Sequence, residues 1–458
     1  MEQTGPTLEE LQQLIEMSGT INMEIFYWWC TALMIIIHAG FLAYEIGASR
    51  LKNALAAGVK NILALAFIIP TFFFFGWWIY LGFPDGFIPR LDEAAAGIPW
   101  SAEMGPNLTD NATGVFWGAF ALFSATTASI MSGAIIERTR MSAFLILAIF
   151  LGSVVWILGA SWGWHPEGWL NVKWGFHDVG AAGSVHTVAG FFALGVVINV
   201  GARLGKFNAD GTVNRISGHS VPMSLIGLML IIVGFFGFLG GCIIYNTGAQ
   251  WTNIYGQPAT LSAFMFNALM GFAGGLIGAY LATRDPFWMM SGGLAGIIAV
   301  APGLDVYYPP LAFVLGMAIA AIVPMIDKFI TVRFKLDDAV GAFAVHGCAG
   351  FLGLVASGVL IAGYPNMGEG VPAVNFLGQT GGAIVLAALG FIPGYGLSYA
   401  MKKANFLRVP AYAEERGLDL TEIPSTAYPE SVPANGGGNG HSGGVPPSAA
   451  PTLPAAAL

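Results

Sequence analysis

Two short segments of the chain place a carboxylate and an imidazole, eight residues apart, in otherwise apolar sequence. The first runs from Asp178 to His186 and the second from Asp338 to His346, and both histidines stand in the pattern Val-His-x-x-Ala-Gly-Phe. A neutral imidazole at membrane depth costs free energy unless its ring nitrogens are partnered, and two such rings can partner each other. The pair could hydrogen-bond a small neutral molecule or relay a proton. The recurrence predicts an internal repeat with the two histidines at matching positions.

Two other interpretations of these histidines involve different chemistry. A single membrane histidine can simply hold two helices together, and two histidines from different helices can ligate a haem. The duplication argues against the first, because two placements would have to coincide. The second usually needs a further histidine pair or an electron partner, and none is evident. With no HExxH or comparable cluster, the sequence predicts no metal site, no cofactor and no enzymatic activity.

The composition restricts the class of protein. Only 10% of the residues are charged, 55% are hydrophobic, and the mean hydropathy is +0.69. Soluble domains carry roughly 25% charged residues, so the chain is predicted to be a polytopic protein of the lipid bilayer. No basic patch suggests nucleic acid as a partner. The three cysteines, Cys30, Cys242 and Cys348, lie in apolar runs and are expected to be buried thiols.

Spanning a bilayer takes about 20 apolar residues, and the chain offers eleven such stretches. They are roughly 23–47, 54–82, 113–136, 141–163, 179–202, 220–242, 258–283, 286–302, 307–326, 340–363 and 376–401. His186 falls in the fifth span and His346 in the tenth. We therefore predict an all-α polytopic membrane protein with an inverted five-helix repeat, spans 1–5 and 6–10, plus one extra helix.

The basic residues predict the orientation. Connections after the odd-numbered spans, together with the C-terminal segment, hold almost all Lys and Arg, whereas the opposite side has only Arg90 and Lys173. The N-terminus is thus predicted outside and the C-terminus in the cytoplasm of a cell membrane. The segments expected are an outer N-terminal segment 1–22, a transmembrane domain 23–402, a cytoplasmic regulatory segment 403–432 and a disordered Gly/Pro-rich tail 433–458.

In this topology the two aspartates differ. Both begin helices, where capping of free backbone N–H groups is the default role. Only Asp178 enters from the outer side, so it alone could also attract a cation there. Trp162, Trp164 and Trp169 lie near the same end. Most membrane tryptophans form an interfacial belt, but their ring faces can also hold a cation.

Several motifs, taken in order, resemble the ammonium transporter (Amt/Mep) branch of the Amt/Mep/Rh family over about 23–430. They are His38–Asn53, Ser132–Arg138, Ser161–Leu170, Asp178–His186, Asp337–Gly347, Leu407–Val409 and Glu414–Glu422. The resemblance implies a homotrimer with one pore per subunit, in which His186 and His346 are the twin pore histidines. It also implies that the C-terminal segment docks on the cytoplasmic face and, in many relatives, meets a PII-type signal protein.

The same resemblance assigns the outer residues. Trp164 and Asp178 correspond to cation-recruitment positions, and Cys242 stands where the family has a hydroxyl. Phe123 and Phe238 correspond to a phenylalanine gate, although a three-residue shift in the third span would give the first position to Phe120. The chain departs from the family pattern in Phe235–Cys242, where the family usually has Trp-Phe-Gly-Phe-Asn-x-Gly-Ser. A thiol is a weaker hydrogen-bonding group than a hydroxyl.

Three further departures concern other sites. Ala119 and His38 replace residues that are often Phe and Gln, and Thr421-Glu-Ile-Pro replaces a usual Glu-His-Gly in the C-terminal segment.

The predicted function is uptake of ammonium, with methylammonium as a possible second substrate. NH4+ is recruited outside and deprotonated, and NH3 crosses the twin-histidine pore while its proton is relayed separately. The alternatives are an ammonium sensor of the same fold, an Rh-type NH3 or CO2 channel, and a bis-histidine haem protein.

Overall fold

The computed structural model describes residues 5–92, 113–246, 250–366 and 368–429. Within these ranges, eleven helices are long and apolar enough to cross a bilayer, which confirms the all-α polytopic fold. The spanning helices are α1 (Leu8–Ala48), α2 (Ala54–Gly82), α3 (Thr113–Ala134), α4 (Met141–Trp164), α6 (Ala182–Val200), α7 (Val221–Gly240), α8 (Leu261–Thr283), α9 (Pro286–Gly303), α10 (Pro309–Phe334), α11 (Phe343–Leu360) and α12 (Phe376–Lys403). Shorter elements are α5 (Trp169–Trp174), the antiparallel hairpin of β1 (Ile243–Asn246) and β2 (Gln250–Asn253), α13 (Ala411–Arg416) and α14 (Leu418–Thr421).

Helix α1 starts well before the predicted first span. The prediction placed that span at 23–47, whereas the helix begins at Leu8. Thr7 and Glu10 form a capping box, in which the Thr7 hydroxyl accepts from the Glu10 N–H at 3.2 Å and the Glu10 carboxylate accepts from the Thr7 N–H at 2.7 Å. Such a reciprocal cap satisfies two free backbone donors and fixes the helix start. The segment 1–22 is therefore helical from residue 8 onward.

Close backbone contacts hold neighbouring helices together. A Cβ at Gly227 on α7 would lie 2.4 Å from the backbone nitrogen of Tyr44 on α1, and one at Gly275 on α8 would lie 2.1 Å from the carbonyl oxygen of Gly292 on α9. Lipid supplies no hydrophobic driving force between helices, so small residues that permit close van der Waals packing take that role. Helix α6 lies at the centre, with most of its side chains buried.

The C-terminal segment folds back onto the bundle. The Asp419 carboxylate accepts from the backbone N–H groups of Leu55 (3.1 Å) and Ala56 (2.7 Å), at the start of α2. Lys52 donates its Nζ to the carbonyl oxygen of Glu414 at 2.7 Å. The part of 403–432 that is described is thus packed against the transmembrane helices. Its regulatory role stays a prediction, and the predicted disordered tail 433–458 lies outside the described residues.

A buried ion cluster ties this end of the bundle together. Asp337 is 1% exposed, and its carboxylate accepts from Nε and Nη2 of Arg203 at 2.8 and 2.9 Å. Arg138, also buried, donates to the Asp337 carbonyl oxygen. Burial alone would raise the pKa of Asp337, but hydrogen bonds from Arg203 and the charges of both arginines hold it below its ordinary value of 3.8. The carboxylate therefore stabilises the fold at neutral pH.

We expect Asp337→Asn to lower the free energy of unfolding by about 3 kcal/mol, because it removes the nearer of the two carboxylates that face the buried Arg203 guanidinium, the other being Glu137 at 3.6 Å. The folded-state pKa lies below the unfolded one, so the wild-type contribution is complete above about pH 4 and is lost as the pH falls further. Thermal unfolding of the detergent-purified protein between pH 3 and 7 measures both effects. Asp210→Asn, at an exposed turn between α6 and α7, is the control and should change the midpoint far less. Equal effects of the two substitutions would contradict the assignment.

Candidate functional site

The two histidines lie in π-helical turns that open α6 and α11. These turns are Ala182–Thr187 and Phe343–Cys348. Three residues after each aspartate the backbone is left-handed, with φ of 68° at Ala181 and 73° at Gly341. π-Turns and positive-φ residues cost free energy and concentrate at functional sites. The same local geometry at both places agrees with the predicted repeat.

The aspartates cap these turns at matching offsets. Asp178 Oδ2 accepts from the backbone N–H groups of Gly183 and Ser184, both at 2.9 Å, and Asp338 Oδ2 accepts from the N–H of Phe343 at 2.8 Å. Both aspartates thus bind the residue five positions along the chain, and Asp178 also binds the residue six positions along. The other oxygen, Oδ1, of both aspartates has no hydrogen-bond partner among the described residues. Each carboxylate thus keeps one free acceptor.

His186 and His346 come together at the centre of the bundle. Their Nδ1 atoms are 3.1 Å apart, the ring centroids are 5.2 Å apart, and the planes differ by 24°. The residues are 1% and 6% exposed. One Nδ1 donates and the other accepts, so each ring partners the other. Nε2 of His186 has no hydrogen-bond partner among the described residues.

This geometry does not fit a haem between the rings. Two imidazoles on opposite faces of one metal ion hold their ligating nitrogens about 4 Å apart, with the macrocycle between them. Here Nδ1 of one ring contacts Nδ1 of the other directly, at 3.1 Å. In the part of the chain that the structure describes, no group of three or more His, Cys, Asp or Glu side chains could hold a metal ion.

A pair of phenylalanine rings lies next to the histidines. The centroids of Phe123 and Phe238 are 4.3 Å apart at 61°, and both side chains are fully buried. The Phe238 ring is 5.9 Å from that of His186. Phe120 packs against Trp117 and Tyr80 instead, 6.0 Å from Phe123. Of the two gate assignments considered from the sequence, the contact with Phe238 is made by Phe123.

The residues predicted to recruit a cation surround this aromatic pair. Nε1 of Trp164 donates to the carbonyl oxygen of Asp178 at 2.8 Å, and the Trp164 ring lies 5.4 Å from that of Phe123. The Cys242 thiol donates to the carbonyl oxygen of Phe238 at 3.4 Å. All these side chains are buried. Burial raises the pKa of Asp178, an effect that the hydrogen bonds from Ser184 and Gly183 oppose.

The three tryptophans do not form a single cage. Trp162 and Trp169 pack on each other at 5.9 Å, whereas Trp164 lies against Phe123 and Phe120. Trp164 alone of the three therefore contacts the phenylalanine pair in the described structure.

Sequence reasoning missed a polar cluster beside Asp178. His177 Nε2 lies 3.3 Å from Asp305 Oδ2, its Nδ1 lies 3.0 Å from Asn366 Oδ1, and Asn253 Nδ2 donates to Asp305 at 2.7 Å. Its members come from four separate connections, so spacing along the chain could not group them. The signal available in the sequence was His177, a histidine directly before Asp178.

A second network was also missed. Glu45 on α1, Asn61 on α2 and Ser132 on α3 form a buried hydrogen-bonded group. A lone carboxylate within an apolar span was a signal in itself.

The distance between the histidines depends on a close approach of α6 and α11. A Cβ at Gly190 would lie 2.2 Å from the backbone nitrogen of Gly347, the residue after His346. We expect Gly190→Ala to separate the helices and to destabilise the protein by about 3 kcal/mol, the upper range for overpacking against backbone. Gly396→Ala on α12, where a Cβ meets nothing within 4 Å, should be neutral or stabilising. Thermal unfolding of both variants tests this, and similar midpoints would contradict it.

Comparison with known proteins gives the family. A family model described as "Ammonium Transporter Family" matches residues 25–428. The ammonium transporter Amt1 of Methanocaldococcus jannaschii is 28% identical over 420 residues, which cover 91% of this chain and 100% of that relative. Amt2 of the same organism is 31% identical over 413 residues, covering 87% and 90%.

Solved structures agree with this match. One named "Sensor Amt Protein" superposes with a TM-score of 0.75 at 26% identity, covering 89% of this chain and 99% of that chain. Candida albicans Mep2 has the same fold, with a TM-score of 0.66 at 21% identity over 85% and 86% of the two chains. The match to the family model over most of the length shows that this multi-pass membrane protein belongs to the Ammonium Transporter Family.

Proposed function

We propose that the protein carries ammonium into the cell, passing NH3 along His186 and His346 and relaying the proton separately. The observation that carries this proposal is the buried imidazole pair, with Nδ1 atoms 3.1 Å apart, directly behind two packed phenylalanine rings in a member of this family. Neutral ring nitrogens can hydrogen-bond NH3 on a path that is otherwise apolar.

Deprotonation before the pore follows from the cost of charge. An ion in a dry, low-dielectric passage costs several kcal/mol or more, whereas neutral NH3 does not carry that penalty. The two phenylalanine rings fill the space in front of His186, so passage requires a transient rotation of one ring. NH3 is small enough to need only a brief opening. A hydrated cation would need a far larger one.

Recruitment of NH4+ rests on the charge and aromatic surface around Asp178. Its Oδ1 is unpartnered among the described residues, and Trp164 presents an aromatic ring beside Phe123. A cation is attracted by the carboxylate and by the ring face. Cys242 contributes weakly, since its thiol already donates to the Phe238 carbonyl oxygen.

The orientation and assembly that we propose for the protein follow the sequence predictions. We place the N-terminus outside and the C-terminus in the cytoplasm of the cell membrane, from the distribution of basic residues. A homotrimer would cover some of the apolar side chains exposed on single helices, among them Trp28 and Trp29 on α1. The C-terminal segment that packs on α2 would be the surface offered to a PII-type protein.

A second candidate is ammonium sensing. It is favoured by the similarity to the structure named "Sensor Amt Protein", at a TM-score of 0.75 over 99% of that chain. A sensor needs NH4+ binding but no flux, and would signal through a partner protein. Binding and flux measured on the same protein therefore separate the two functions.

The main test uses proteoliposomes on a solid-supported membrane. A pulse of NH4+ should give a transient current in the wild type, and His186→Ala/His346→Ala should reduce it below about a tenth, because the path loses its ring nitrogens. His219→Ala, a matched histidine substitution away from the pair, should retain the current. NH4+ binding to the wild type without flux or current would favour sensing. If the wild type shows no NH4+ binding and no flux, an ammonium function is refuted.

A further test concerns recruitment. Asp178→Asn keeps an oxygen to cap α6 but removes the charge, so we expect at least about a tenfold higher NH4+ concentration for half-maximal current. Asp85→Asn provides the control, because Asp85 is a partly exposed carboxylate paired with Arg90 and lies outside the buried site. An unchanged concentration dependence in Asp178→Asn would show that the carboxylate only caps the helix.

A further inference from the structure

Glu45 is a buried carboxylate that the proposed function does not yet use. It lies on α1 and is 1% exposed. Its Oε2 accepts from the Asn61 side-chain amide on α2 at 3.0 Å, and its Oε1 accepts from the Ser132 hydroxyl on α3. An ionisable side chain within membrane-spanning helices is costly, and it usually faces the interior at a functional position.

Neutral groups, and no ion pair, hold this carboxylate. None of the ion pairs in the described part of the chain includes Glu45. Lys60 on α2 is close enough to act on Glu45 electrostatically, but its Nζ donates to the Thr139 carbonyl oxygen at 3.1 Å. Glu45 can therefore take up a proton without breaking a salt bridge. The amide and hydroxyl that hold it can stay in place in either protonation state.

A small cavity connects Glu45 with the histidine pair. Its volume is about 20 Å³, and its wall includes both Glu45 and His346. Tyr44, Ser129 and Ser291 also line it, and the hydroxyls of Tyr44 and Ser291 are 3.1 Å apart. A cavity of this size has room for about one water molecule, and its polar lining offers the partners that a buried water needs. One water there would have the Glu45 carboxylate, the His346 imidazole and the Tyr44 and Ser291 hydroxyls in the wall around it.

The same cavity borders the open space at the Asp338 end of the bundle. Val340 lines both the small cavity and a second one of about 750 Å³. The larger cavity is lined by Asp327 and Asp338, each with one oxygen unpartnered among the described residues, and by Arg203 and Lys206. Glu45 and His346 thus line a small cavity that shares one wall residue, Val340, with a wide polar vestibule. In the proposed orientation this vestibule faces the cytoplasm.

We propose that Glu45 is the proton relay between His346 and the inner vestibule. One N–H bond of NH4+ breaks, its electron pair stays on NH3, and the proton passes along the imidazole pair and the cavity water to the carboxylate. One O–H bond then forms on Glu45, which becomes neutral, and breaks again when the proton leaves for the vestibule. NH3 and the proton thus take separate routes past His346. The inference rests on the proposed transport function.

The relay makes charge movement separable from NH3 movement. Removing the acid at position 45 blocks the proton but leaves the imidazole pair and the phenylalanine gate intact. NH3 that enters alone takes up a proton inside and raises the luminal pH, without current. Two readouts on proteoliposomes follow: the transient current on an NH4+ pulse, and the fluorescence of a luminal pH dye after subtraction of protein-free vesicles.

We expect Glu45→Gln to lower the NH4+-induced current at least about tenfold, the scale of a lost proton-transfer group, while luminal alkalinisation rises above that of the wild type because NH3 then enters without its proton. Glu45→Asp, which keeps the acid, should retain more current than Glu45→Gln. Glu24→Gln makes the same change near the start of the apolar part of α1 and should match the wild type. A defect in packing alone would lower the current without any gain in alkalinisation, so opposite changes in the two readouts identify the relay.

The outcomes also distinguish a failure of the proposed relay from a failure of the proposed transport function. Wild-type protein with neither current nor alkalinisation above protein-free vesicles would refute transport itself. Alkalinisation without current in the wild type, or a Glu45→Gln current that falls less than tenfold, would overturn the relay alone. If Glu45→Gln is not recovered folded, Gly133→Ala gives the same test, because its methyl would lie at the cavity wall, 3.5 Å from Glu45 Oε1 and 2.7 Å from the Val340 side chain, which must shift. It should show the same loss of current with increased alkalinisation, and an unchanged current would overturn the relay.

Discussion

The central constraint on this molecule is that two imidazole rings must stay hydrogen-bonded to each other at the centre of an apolar bundle. The Nδ1 atoms of the two rings hydrogen-bond to each other at 3.1 Å, so these nitrogens are partnered only if α6 and α11 are in contact. Glycines at 190 and 347 permit that contact, and an unpartnered imidazole would carry the cost of a buried polar group. The π-turns set the rings at the right rotation, and the aspartates cap the start of those turns. This one hydrogen bond therefore depends on helix packing, turn type and capping together.

Much of this arrangement was predictable from the sequence, because its signals are local or repeated. The eight-residue step from Asp to His, found twice, predicted the capping and the pairing of His186 with His346, and the apolar stretches predicted eleven spans. Helix α1 extends to Leu8, N-terminal to the predicted span 23–47, because the capping box at Thr7 starts it there, although the polar, acidic composition of this segment does not indicate a helix. Whether Phe120 or Phe123 contacts Phe238 depends on the rotation of α3 about its own axis. The sequence alone does not determine that rotation.

The groups that sequence reasoning missed are held together by long-range contacts. His177, Asp305 and Asn366 are separated by up to 189 positions, and no periodicity links them. Glu45 was recognisable as an intramembrane carboxylate, but its meaning depends on the cavity that it shares with His346, and that cavity exists only after four helices and the connection before α11 have packed. Interior polar residues can thus be noticed from the sequence, whereas their connection to a site depends on the fold.

The two ends of the histidine path are alike in backbone geometry and different in surroundings. Asp178 and Asp338 cap their π-turns at the same offset, but Asp178 is enclosed by Trp164 and Tyr255, whereas Asp338 borders a vestibule of about 750 Å³ that also contains Arg203. Fixed charges of this kind cannot drive net transport, since they act equally on both directions at equilibrium. They can set where NH4+ loses its proton and where the proton is released. Glu45 lies beside the NH3 path and not on it. The proton can therefore leave without a cation ever occupying the space between the rings. The separation of proton and NH3 would then follow from helix packing, because α1 carries the acid and α6 and α11 carry the imidazoles.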